Sequence, residues 1–179
     1  MRLDMNLPVV LFTLFVAALL QDLLPATPAF PVKVGFLTAV ALYTALTKPV
    51  WVVLTVQAWA GGLTDALGGL PLFCTLSFLV LMYGAVRMLQ RVFLEATLVQ
   101  GTLLVGCVAL AQTIWTRLWA GTGEPFFAWQ TLVTLGYALP SGLAAGFVGF
   151  ALCGLADRLS GNVKPMKESH GILWAETNR

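Results

Sequence analysis

Formal charge is missing from six long stretches of this chain. No side chain between Met5 and Gln21, Val34 and Thr47, Pro49 and Thr64, Ala66 and Val86, Ala96 and Thr116, or Pro125 and Ala156 carries one. Crossing a hydrocarbon core as a helix takes about 20 apolar residues, each rising about 1.5 Å, because every backbone amide must find its partner within the segment. The first, fourth, fifth and sixth stretches meet that length. The second and third are shorter, and Lys33 and Lys48 extend them if their ammonium groups snorkel to the interface. Hydrophobic residues make up 59% of the 179 and charged residues 10%. Such usage lies outside that of soluble domains of this size. The expected fold is therefore all-α: a polytopic membrane helical bundle of about six transmembrane helices over residues 1–158, followed by a polar cytoplasmic tail over 159–179.

The positions of the basic residues orient the bundle. With a cytoplasmic amino terminus, six spans place Arg2, Lys48, Arg87, Arg91, Arg158, Lys164, Lys167 and Arg179 inside, and Lys33 and Arg117 outside. That bias fits an even number of spans with both termini cytoplasmic. A re-entrant pair formed by 34–47 and 49–64 would instead bury Lys48 near the midplane, at a cost of about 2.5 kcal/mol or more. Tryptophan agrees with the six-span layout. Trp51 falls at an inner boundary and Trp115, Trp119 and Trp129 at outer ones, where the ring meets lipid and the N–H meets water. A cleaved signal peptide is the competing reading of the first stretch, but the prolines from Pro25 to Pro31 suit a turn better than a small-residue cleavage site.

The connections carry their own signals. Pro8 stands where a first helical turn tolerates a missing amide. The Thr47-Lys48-Pro49 turn is short enough to make the flanking helices antiparallel neighbours. The segment from Gly61 to Pro71 holds four glycines, Asp65 and a proline, and there helix is expected to break. Arg87, Arg91 and Glu95 recur every four residues and share a helix face. Pro140 is expected to kink the last stretch. Cys74, Cys107 and Cys153 show no paired spacing and read as small core residues.

The pattern Gly61-x-x-x-Asp65-x-Leu67-x-Gly69-x-Pro71-Leu72, following a hairpin at Pro49, resembles the rod shape-determining protein MreD family. The layout matches over Met5 to Ala156, the motif over this turn alone. Glycine usually follows the Pro-Leu pair in that family, and here Phe73 stands in its place. The resemblance implies a non-enzymatic scaffold of the bacterial cell-elongation complex, which serves peptidoglycan synthesis and rod shape. Its place would be the inner membrane, beside the single-span periplasmic scaffold MreC, a SEDS glycosyltransferase, its class B transpeptidase and the actin-like MreB. It also implies a fold similar to the substrate-binding subunits of energy-coupling-factor transporters.

Several residues are candidates for partner contact. Asp65, a carboxylate near the hydrocarbon edge, either receives a partner's basic group or amides, or ends a helix in the wet headgroup zone. With Gly61, Gly69 and Pro71 it would form a shaped outer surface. Gly142 and Gly146 lie one helical turn apart, beside the file Ser141, Ala145 and Gly149. They form either a seat for a partner helix or packing within the bundle. Arg87 and Arg91 form either a cytoplasmic docking patch or a snorkelling pair on anionic lipid.

Catalytic, nucleotide-binding and nucleic-acid-binding constellations are not legible, and no cofactor or metal is expected; His170 has no neighbouring ligands in sequence. The alternative function is a small-solute, vitamin-type binding subunit of a membrane transporter. It would draw on Asp65, Thr64 and Gln21 at the outer mouth, a sparse polar lining.

Overall fold

The computed structural model describes residues 6–24, 35–71, 73–90, 98–120 and 129–159. These form six α-helices: α1 (Asn6–Leu23), α2 (Phe36–Thr47), α3 (Val50–Gly68), α4 (Cys74–Gln90), α5 (Leu98–Ala120) and α6 (Trp129–Leu159). No strand occurs among the described residues.

The short α2 is the centre. Every residue from Phe36 to Ala45 is buried, and each of the other five helices packs against it. A helix that is apolar all round belongs where protein covers it all round. The surrounding helices turn large apolar side chains away from that centre, among them Phe12 and Phe15 of α1, Trp59 of α3, Leu81 of α4, Leu103 of α5 and Phe147 of α6. The bundle is thus largely apolar inside and outside, while its ion pair and the side-chain caps of α2 and α4 lie at helix ends.

Three helices are long and apolar enough to cross a membrane by length and composition: Val50–Gly68, Leu98–Trp119 and Thr131–Leu159. Leu7–Leu23, Phe36–Thr47 and Cys74–Leu89 are shorter apolar helices. The ranking by uncharged length is therefore corrected at three places. α3 outruns its uncharged stretch because helix continues past Asp65, and α4 falls short of its own because Ala66–Gly68 extend α3 and α4 begins only at Cys74, while α1 is little longer than the Met5–Gln21 stretch, which is itself short.

The break expected from Gly61 onward occurs only at the far end of that segment. Helix α3 passes through Gly61 and Gly62 and ends at Gly69, whose φ of 63° is the left-handed cap glycine favours. Glycine in a helix interior costs about 1 kcal/mol against alanine. Close packing offsets that cost at Gly61, where a Cβ would stand 2.8 Å from Leu76 Cα of α4. α6 likewise continues through Pro140. The Lys48–Pro49 turn makes α2 and α3 packed neighbours, as its length required.

α5 and α6 form the largest helix pair and run antiparallel. Gly146 meets Thr102, and Gly142 meets Ala109 and Gly106.

Candidate functional site

The turn from α3 to α4 is organised by Asp65. Its carbonyl accepts the Gly69 N–H, and the Leu70 N–H at 3.0 Å, which closes α3. Its carboxylate Oδ1 accepts the Thr75 N–H at 2.9 Å, one of the amides that the first turn of α4 leaves without a helical partner. One residue thus ends one helix and caps the next. Asp65 is only 1% exposed. Of the two readings of Asp65, the one in which it ends a helix accounts for these contacts, but the carboxylate is buried and not in a wet zone, drawn in because the left-handed Gly69 folds α4 back over it. Its Oδ2 and the Thr75 hydroxyl are both buried and have no hydrogen-bond partner among the described residues.

The remaining members of the proposed outer surface divide. Gly61 is buried under Leu76, whereas Gly69 and Pro71 are exposed. Phe73 is exposed too, with φ at 69°. The backbone at this position keeps a glycine-type conformation although the residue is phenylalanine. Beyond it, the Trp115 indole N–H donates to the Cys74 carbonyl at 3.1 Å, and the Trp115 ring lies against Phe78 and Trp119 at 6.2 and 6.3 Å between centroids.

Other polar groups at this end are also spent within the bundle. Gln21 Oε1 accepts the Leu37 N–H at 3.2 Å and so caps α2, and the Thr64 hydroxyl donates to the Ala60 carbonyl at 2.7 Å.

The glycine seat on α6 is filled by the chain itself. A Cβ on Gly142 would lie 2.5 Å from Ala109 Cβ, one on Gly146 3.0 Å from Thr102 Cα, and one on Gly149 2.7 Å from Ala39 Cβ of α2. Of the two readings of this stripe, packing within the bundle accounts for the contacts.

The opposite end holds a network that sequence reasoning did not single out. Lys48 Nζ pairs with Asp157 Oδ1 at 2.6 Å, and the Tyr43 hydroxyl donates to Asp157 Oδ2 at 2.7 Å. Arg87 donates from its guanidinium to the Lys48 carbonyl at 3.3 Å and from Nε to the Tyr83 hydroxyl at 3.1 Å, with the guanidinium 5.3 Å from the Tyr83 ring centroid. Arg87 therefore binds the α2–α3 turn instead of standing as a free patch, and Arg91 lies outside the described residues. The available signal was positional, since Lys48 and Asp157 both fall at expected inner boundaries.

A cavity of about 10 Å³ lies beside this network, lined in part by Thr13, Tyr43, Thr44, Cys153 and Asp157. That volume holds one water at most. Cys74 and Cys153 are buried free thiols as expected, whereas Cys107 is exposed on α5, a correction to its core assignment. Among the described residues no group of three or more His, Cys, Asp or Glu is placed to hold a metal ion. No family model, curated protein or solved structure matches the chain.

Proposed function

We propose that this chain is an integral membrane protein of the bacterial inner membrane. Its six helices form one bundle with both termini in the cytoplasm, and it serves as a non-enzymatic scaffold of the cell-elongation machinery. The carrying observation is Asp65. Asp65 of the motif on which the family resemblance rests ends α3 and caps α4, so the motif has a fold-defining physical role. The pairing of helix ends supports the alternating layout: Lys48, Asp157 and Arg87 meet at one end, and Asp65, Thr75, Cys74 and Trp115 at the other.

In this reading the bundle works by position. It presents a rigid apolar exterior and the exposed turn residues Gly69 and Pro71 to an MreC-like single-span partner, with the SEDS glycosyltransferase, the class B transpeptidase and MreB as further members of the assembly. The solute-binding alternative has less support. Asp65, Thr64 and Gln21 are committed to backbone groups of the chain, and the cavity beside Tyr43 falls far short of the several hundred Å³ that a vitamin-sized ligand occupies.

The test is co-expression with the MreC-like protein of the same bacterium, followed by detergent extraction and capture of the tagged chain. Co-purification at constant stoichiometry is expected. A well-folded, membrane-extracted chain that leaves this partner behind would sink the scaffold reading, and a phosphatase reporter active at residue 179 would sink the orientation.

A further inference from the structure

Phe73 is the one non-glycine residue with a positive φ among the described residues. At 69° its Cβ crowds the neighbouring carbonyl, which is why glycine fills such positions, and a bulky residue held there is an outlier that calls for a reason. Packing inside the chain does not supply one. Phe73 is 59% exposed, whereas Phe78, a little over one turn further along α4, is buried against Trp115.

What surrounds Phe73 indicates where its ring lies. The next residue, Cys74, is tied through its carbonyl to the Trp115 indole, and Trp115 is in ring contact with Trp119, which is half-exposed near the end of α5. Because α5 and α6 are antiparallel, the exposed Trp129 that opens α6 stands at this same end. Exposed indole rings at one level of an otherwise apolar exterior mark the boundary between acyl chains and headgroups.

We propose that Phe73 is an interfacial anchor, its ring set at the headgroup–acyl boundary of the outer leaflet beside Trp119 and Trp129. The strained turn places the ring at that depth. The proposal rests on the bilayer reading given above and is separate from any partner contact.

The test uses the full chain with Cys74, Cys107 and Cys153 replaced by alanine and Phe73→Cys carrying an environment-sensitive fluorophore. It is reconstituted in vesicles of phosphatidylethanolamine and phosphatidylglycerol that contain lipid with a nitroxide near the glycerol or near the chain end. Quenching by the shallow nitroxide should exceed that by the deep one about twofold or more, as an interfacial position requires. Equal or absent quenching would overturn the proposal. A second arm replaces Phe73 by p-benzoylphenylalanine in intact membranes, where phospholipid adducts are expected and a protein adduct would instead make the ring a partner contact. Phe73→Gly, which removes ring and strain together, should melt no lower than the parent; a lower melting temperature would show that the ring packs within the fold. Release of the unlabelled chain from membranes by alkaline carbonate would overturn the bilayer reading itself, and this proposal with it.

Discussion

Lys48 and Asp157, 109 residues apart in sequence, meet at 2.6 Å and join the turn after the central helix to the last turn of α6. Their side chains are 9% and 20% exposed, so little water screens the pair. Removing one partner leaves the other charge largely buried, a loss of about 3–5 kcal/mol, whereas replacing both with apolar groups of similar size is close to neutral. Lys48→Met and Asp157→Leu should each lower the melting temperature in detergent sharply, and the double variant should recover most of the loss. Additive losses would show that the two charges do not act as a pair.

Asp65 offers a cleaner separation of cap from contact. Asp65→Asn keeps an acceptor for the Thr75 N–H and should change stability little. Asp65→Ala leaves that amide uncapped and should cost about 0.5–2 kcal/mol. A partner that recognised the carboxylate's charge would instead be lost equally in both variants. Melting and partner capture on the same two proteins distinguish these outcomes.

Glycine positions that look alike in sequence differ by what faces them. A Cβ at Gly146 would press on the backbone of Thr102, and one at Gly142 on Ala109, so alanine at either should cost about 1–3 kcal/mol through overpacking. At Gly84 on α4 a Cβ meets open space, and Gly84→Ala should raise helix stability by about 0.4–1 kcal/mol. Thermal unfolding of the three variants in one detergent checks the sign at each site. A lost partner contact in a bulkier Gly146 variant therefore has meaning only when its melting is unchanged.

These contrasts mark where sequence reasoning reached and where it stopped. Charges punctuate the chain, so the six helical segments and the α2–α3 hairpin at Lys48-Pro49 were legible. The central position of α2 was not, because an apolar helix has the same composition whether protein or lipid surrounds it. Asp65 looked like a headgroup-zone carboxylate, since its burial depends on the left-handed turn at Gly69 that swings the Thr75 amide over it. The partners of Lys48 were hidden for a different reason. Sequence gave the end of the bundle at which Lys48 and Asp157 lie, but sharing an end does not select a pair, and only the packing of α6 on α2 does so.

Arg87 tests whether the end of the bundle that holds the Lys48–Asp157 pair is a docking surface or a joint. Its guanidinium stacks on Tyr83 and reaches the Lys48 carbonyl, so it braces the same turn that the ion pair holds. A hydrogen bond from a charged donor contributes about 1.5–3 kcal/mol, and the partial exposure of this side chain puts Arg87→Ala at the lower end of that range. Lysine cannot stack and bond as a planar fork does, so Arg87→Lys should recover little of the loss. Because both contacts converge on one turn, combining Arg87→Ala with Lys48→Met should depart from additivity by about 0.5 kcal/mol or more. Additive effects together with full rescue by lysine would mean that only positive charge matters at this position, and would return Arg87 to the role of a lipid-facing or partner-facing cation.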